Sequence, residues 1–310
     1  MSFRLRLLGV LALAICLTGS ALAGDAAFSA DGNLVYAIAQ GDNPAVEEID
    51  LTAKTIRTIP VAEELRGITC TSDDKLYCTT QNHFCAFDPK TGALKKIRDA
   101  SPGAAFWRVA FDPKSGALFV TTDSEVSPLY RYKPPNEWKS VRMRRHPFPS
   151  CLVFAANGEL FFAAYGDLWH GEIKYDFEQY SISAYRYAPL ATLETENSTP
   201  AEIGVSDIGV AAETVYVHLA RMGGSGDGWL AQLDRPRRNR DEHGMNRPFA
   251  PAERLPIYEA ALHSLKIIEE EYHGVSIGVS PDEKRVHYVL GSKHWLATNG
   301  KAEQLELTEK

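Results

Sequence analysis

Four histidines could do acid–base chemistry in this chain. His83, His170, His273 and His294 lie in polar segments where an imidazole titrating near neutrality can act as acid or base. Arg66, Arg108 and Arg221, with Trp107 and Trp169, are cationic and aromatic groups suited to holding a ligand, and Asp167 stands beside them. Asp123, Glu125 and Asp167, together with Asn82, offer oxygen donors for a divalent cation such as calcium, magnesium or zinc. Such an ion would polarise a carbonyl and activate water. Each residue also has an ordinary role: loop Asp and Asn stabilise turns, a lone His satisfies a backbone group, and Trp packs. No nucleophile elbow, phosphate-binding glycine loop, haem-attachment motif or zinc helix occurs. Gly223-Gly224-Ser225-Gly226 falls between two strand-like segments and is not a dinucleotide loop.

These side chains matter only if the backbone gathers them. A short pattern recurs: a small apolar strand, a turn of Asp, Gly or Pro, then a strand of Leu, Tyr, Phe and Val. The copies are Ala27 to Tyr36, Thr69 to Cys78, Ala110 to Phe119 and Val153 to Phe161. Their anchors Phe28, Cys70, Phe111 and Phe154 are 42, 41 and 43 residues apart. Short strands with a period of about 40–45 residues make a β-propeller blade. Weaker copies follow at Ile208 to Val217 and Ile277 to Val289. The expected fold is all-β, a single β-propeller of six four-stranded blades over 24–310. Seven is the alternative if Pro256 to Ile268, strand or short helix, belongs to another blade. A long basic insertion spans about 221–265 and holds Arg235 to Arg240.

A propeller places ligands at the mouth of its central channel, where loops enter each innermost strand and join the second strand to the third. That topology selects the candidates. Arg66, Trp107, Arg108 and His273 precede or begin innermost strands. His83, Asp123, Glu125, Asp167, Trp169, His170, Arg221 and His294 lie at or near second-to-third connections.

The segment Phe28-Ser29-Ala30-Asp31-Gly32-Asn33-Leu34-Val35-Tyr36-Ala37, with Val46-Glu47-Glu48-Ile49-Asp50-Leu51, resembles the Tyr-Val-Thr-Asn-type and related bacterial propeller repeats. The resemblance covers nearly all of 24–310. It implies the propeller fold and spans several activities: sugar lactonases, a streptogramin-opening lyase, surface-layer proteins and binding scaffolds. Lactonase-type relatives imply a divalent cation held by Glu, Asn and Asp, though no Glu is recognisable at the first innermost strand here. Lyase-type relatives imply metal-free chemistry at a channel histidine.

Residues 1–23 read as a secretion signal: Arg4 and Arg6, an apolar run from Leu7 to Leu17, and Ala21-Leu22-Ala23. An exported, periplasmic or extracellular monomer without a membrane span is expected. The formal charge of −7 argues against nucleic acid. Cys78 and Cys85 flank a tight turn and either form a cross-strand bridge or serve, like Cys70 and Cys151, as small buried hydrophobes. The reading put first is an exported module that binds a partner protein, peptide, glycan or small molecule at the channel face, with no cofactor. The alternative is a propeller enzyme, a lactonase-like metal-dependent hydrolase or a histidine-based lyase.

Overall fold

The computed structural model describes residues 26–39, 43–124, 129–142, 149–164, 167–176, 179–188, 203–221, 228–235, 266–270, 275–290, 292–299 and 301–310. The expected signal segment, and Glu125 and His273, lie outside these residues, as does most of the insertion.

Local chemistry explains why the chain turns where it does. Ser29 Oγ donates to Asp31 Oδ1 at 2.6 Å, Asp31 Oδ1 accepts the Asn33 amide at 2.9 Å, and Gly32 takes a φ of 71°. The same device returns in Thr71 Oγ1 to Asp73 Oδ1 at 2.6 Å and Ser280 Oγ to Asp282 Oδ1 at 2.5 Å. Each turn leads into a run of β-branched and aromatic residues suited to a pleated, buried surface.

Antiparallel meanders result. The first is β1 (Ala26–Phe28), β2 (Leu34–Ile38), β3 (Ala45–Asp50) and β4 (Thr55–Pro60). The second is β5 (Leu65–Cys70), β6 (Leu76–Thr80), β7 (His83–Asp88) and β8 (Ala93–Asp99). The third is β9 (Phe106–Asp112), β10 (Ala117–Thr122), β11 (Leu129–Lys133) and β12 (Glu137–Arg142). The fourth is β13 (Cys151–Phe154), β14 (Leu160–Ala164), β15 (Asp167–Asp176) and β16 (Gln179–Ala188). The fifth is β17 (Ile203–Val210), β18 (Thr214–Arg221), β19 (Gly228–Asp234) and β20 (Lys266–Glu270). The sixth is β21 (Val275–Val279), β22 (Arg285–Leu290), β23 (Lys293–Thr298) and β24 (Lys301–Gln304). A final strand, β25 (Thr308–Glu309), adds in parallel to β4 and ties the C-terminal segment to the first meander.

The arrangement is all-β and propeller-like. First strands touch in order, β1 to β5, β9, β13, β17 and β21, and β21 returns to β1. They come close: a Cβ on Gly278 would stand 2.9 Å from the Ala26 carbonyl oxygen, and one on Gly209 would collide with Ile277. Second strands are sandwiched, and every residue of β6, β10 and β14 is buried. One detail departs from separate blades. β12 and β16 pair in parallel at Val141–Tyr180 and Arg142–Ser181, so the third and fourth meanders share one eight-stranded sheet.

At the end of the ring where first and second strands turn, Arg235 bolts three meanders together. Its Nη1 donates to Glu283 Oε2 at 2.6 Å and to the Ala211 carbonyl at 3.0 Å, and Nη2 donates to Glu159 Oε2 at 3.0 Å. The side chains of Arg235, Glu159 and Glu283 are only 9%, 7% and 15% exposed. Removing the guanidinium would leave two carboxylates with little water, which costs about 3–5 kcal/mol. The Lys75–Asp73 pair, 66% and 60% exposed, is screened by solvent. We expect Arg235→Ala to lower the urea midpoint substantially at constant m-value, and Lys75→Ala to leave it within error.

Candidate active site

First strands begin at the opposite end of the ring, and three of them bulge there. The register slips at Arg66 in β5, at Trp107-Arg108 in β9 and at Ser206 in β17. A bulge re-aims side chains and frees backbone groups, which is why bulges gather beside active sites. Here the freed groups are taken up from neighbouring strands. Thr79 Oγ1 donates to the Trp107 carbonyl at 2.6 Å, and Thr121 Oγ1 accepts the Arg108 amide at 2.9 Å.

Arg108 spans the mouth. Its Nη1 donates to the Arg66 carbonyl at 2.9 Å, and its Nη2 to the Ser206 carbonyl at 3.2 Å. A guanidinium is small and planar, so the two carbonyl oxygens lie within about 8.5 Å of each other across the channel. Arg108 itself is buried. Arg66 is half-buried, its guanidinium carbon 4.6 Å from the centre of the Trp107 ring. Its remaining contacts are long: 3.5 Å to the Phe106 carbonyl and 3.3 Å to Gln81 Oε1.

On the β17 side, Ser206 Oγ and His218 Nδ1 are 2.5 Å apart. His218 lies on β18, opposite Asp207, where the second and third meanders carry Thr79 and Thr121. Burial, and secondarily the Arg108 charge, push its pKa down to about 4. The ring is therefore neutral at pH 7. With Nδ1 as acceptor the ring proton sits on Nε2, which has no hydrogen-bond partner among the described residues. Asp207, next to Ser206, is used structurally: Oδ1 accepts the Ile208 amide at 2.9 Å and Oδ2 the Ile277 amide at 2.8 Å, joining β17 to β21. Beyond it lies a cavity of about 300 Å³ whose lining mixes apolar anchors, Phe28, Phe111 and Phe154, with polar groups, Asp207 and Glu283.

Arg66, Trp107 and Arg108 thus come together as the sequence suggested. The histidines do not. His83 Nδ1 lies 2.9 Å from Asp99 Oδ1 and its Nε2 3.8 Å from Glu63 Oε1, away from the channel strands. His170 faces Glu159 at 4.0 Å, at the opposite end of the ring, and packs on Phe161. His294 Nδ1 is 3.2 Å from His287 Nε2, and its own Nε2 is 3.4 Å from Glu47 Oε2, between the sixth and first meanders. Trp169 stacks on Phe162 in the core, and Asp167 is buried at the start of β15. Arg221 closes β18. Asp123 is exposed and accepts the Ala105 amide at 2.5 Å. Among the described residues the cysteines Cys70, Cys78, Cys85 and Cys151 are free thiols: Cys78 and Cys85 oppose each other across β6 and β7 without a bridge, the small-hydrophobe reading. The sequence reading passed over His218. Aligning the second strands would have exposed it, since an imidazole replaces threonine there.

No protein-family model and no curated protein sequence matches this chain. Solved structures share its shape. A calcium-binding regucalcin from Agrobacterium tumefaciens aligns with TM-score 0.54 over 88% of this chain and 83% of its own, at 14% identity. A gluconolactonase from Xanthomonas campestris aligns with TM-score 0.54 over 92% and 86%, at 10% identity. A luciferin-regenerating enzyme aligns with TM-score 0.53 over 89% and 86%, at 9% identity. The likeness is one of fold. It corrects the expectation of a binding module: the neighbours include two enzymes, and the catalytic alternative is the reading that goes forward. The likeness supports the propeller-like arrangement, shared with gluconolactonase and regucalcin structures, and does not confirm the Tyr-Val-Thr-Asn label.

The calcium-binding neighbour raises the question of a cation. Among the described residues no group of three His, Cys, Asp or Glu stands close enough to hold one. Asp207 and Asp123 already accept backbone amides. The described residues do not fit a divalent ion.

Buried neutral histidines make stability depend on pH. His287 is held down to about 3, by burial first and His294 second, and burial lowers His294 as well. The unfolded chain takes up protons at these rings below about pH 6.5, while the native state resists until much lower pH. Stability is therefore complete above about pH 6.5 and is lost as the pH falls. Burial raises the Glu47 pKa and opposes part of that loss. We expect His287→Leu to remove about 1 kcal/mol per pH unit from the acid-side slope of urea-derived stability between pH 6.5 and 4. A difference from the parent that is independent of pH would contradict this.

Proposed function

We propose that this chain is a lactonase-like propeller hydrolase that works at the channel mouth, with Ser206 as nucleophile and His218 as its base. The observation that carries the reading is the 2.5 Å contact between Ser206 Oγ and His218 Nδ1 beside the Arg108 guanidinium. A serine becomes nucleophilic when a neutral imidazole within hydrogen-bond reach takes its proton. Here Ser206 is partly exposed and His218 is buried, so the hydroxyl meets substrate while the base stays dry. We also count the six meanders as six blades and read the protein as an exported monomer.

Ser206 Oγ adds to the lactone carbonyl and its proton passes to His218 Nδ1. Arg108 puts a positive charge beside the oxygen that becomes negative, the kind of preorganised stabilisation that contributes most to acyl transfer. The ring C–O bond breaks, and the leaving alkoxide takes the proton back from His218. Water then attacks the ester on Ser206, again giving its proton to His218, and the hydroxy acid departs with Ser206 restored. The net change is lactone plus water to hydroxy acid. Arg66, Trp107 and Arg108 are the groups we assign to substrate positioning.

Turnover of γ- and δ-lactones and aryl esters, followed with a pH indicator, tests this. The parent protein should hydrolyse members of the panel. Ser206→Ala and His218→Gln should each lose at least about 10²–10⁴-fold in kcat while keeping the parent circular dichroism melt. Because His218 must be neutral, kcat/KM should fall on the acid side with an apparent pKa near 4. Parent-level rates in both variants, or no turnover of any substrate, would overturn the reading.

A further inference from the structure

We infer that the mouth selects an anionic substrate, a lactone or ester bearing a carboxylate close to the reacting carbonyl, and that the Arg66 guanidinium lying on Trp107 receives that carboxylate. The reaction named here rests on the hydrolase reading, but the anion site stands on its own geometry.

Arg66 is poised rather than paired. Its guanidinium carbon lies over the Trp107 ring, 4.6 Å from the centre, a cation–π contact that holds the group without consuming its N–H donors. The two hydrogen bonds it makes, at 3.5 and 3.3 Å, go to neutral acceptors and are longer than the roughly 2.7–2.9 Å of a charge-assisted bond. Among the described residues no carboxylate forms an ion pair with it. Compare Arg57, Arg131 and Arg235, each within 2.9 Å of a Glu oxygen. A half-buried arginine that keeps its donors on an acidic protein is a receptor for a carboxylate.

Its neighbourhood fixes where the rest of such a substrate goes. Arg108 donates to the Arg66 carbonyl on one side and to the Ser206 carbonyl on the other, so the backbone oxygens of these two residues come within about 8.5 Å of each other at the mouth. A small acid gripped at Arg66 presents its carbonyl to Ser206 without leaving the mouth. The bound negative charge also offsets the Arg108 charge that holds down the His218 pKa, so the base strengthens when substrate arrives.

The test uses 5-oxotetrahydrofuran-2-carboxylate, its carboxamide, and the product 2-hydroxyglutarate. The parent protein should favour the acid over the amide in kcat/KM by about tenfold or more, mainly through KM, and less so as salt rises. Arg66→Met should bring the acid-to-amide ratio near one. Arg66→Lys should restore part of it, since an ammonium keeps the charge but not the stacked fork. Trp107→Leu should weaken it. Calorimetry separates this claim from hydrolysis: 2-hydroxyglutarate should bind the Ser206→Ala protein, and the added Arg66→Met change should weaken that binding at least about tenfold. Binding without any hydrolysis would leave the anion site standing and sink the hydrolase. Hydrolysis with equal acid and amide preference in parent and Arg66→Met would sink the anion site and leave the hydrolase.

Discussion

A four-stranded sheet whose middle strands are apolar on both faces cannot stand alone in water, and everything else in this protein follows from that. β6, β10 and β14 are buried residue by residue, so each meander must be covered on both sides. Stacking them in a row leaves two bare ends. Closing the row into a ring leaves none, and β21 lies against β1 accordingly. The close approaches at Gly209 and Gly278, the pairing of β25 with β4 and the Asp207 staple from β17 to β21 all serve that closure.

Closure creates the site. A ring of first strands encloses a channel, and its two halves differ in chemistry. One half is lined by apolar anchors repeated from meander to meander, such as Phe28, Phe111 and Phe154. The other begins with bulges at Arg66, Trp107-Arg108 and Ser206 that turn polar groups inward. Arg108 stands there and reaches two other meanders at once. Burial first, and the same cation second, lower the His218 pKa, and in the proposed reaction that cation stands beside the oxygen that becomes negative. Positioning and electrostatics are therefore one property of one side chain.

The repeat made the fold legible. The anchors Phe28, Cys70, Phe111 and Phe154 and the turns of Asp, Gly or Pro that follow them pointed to pairs of short strands, and the structure pairs them in each copy, β1 with β2, β5 with β6, β9 with β10 and β13 with β14. Topology then placed Arg66, Trp107 and Arg108 at a common mouth, because first strands all start on one side. It could not sort the histidines. Whether a strand residue faces the channel, a neighbouring meander or the outer edge depends on register and bulges, which decided between His218, His294 and His83. Nor could it foresee the parallel contact of β12 with β16, which depends on long strands in the fourth meander. The Arg235 bolt lay at the edge of a run that looked like a solvated basic loop.

The Ser206–His218 pair is tested most directly by intact and peptide-level mass spectrometry after treatment with a fluorophosphonate, which captures a serine only when a neighbouring base activates it. We expect one adduct per chain, on the peptide holding Ser206, and its disappearance in the His218→Gln protein. An unlabelled Ser206 in a protein that hydrolyses lactones, or labelling that persists in His218→Gln, would contradict it.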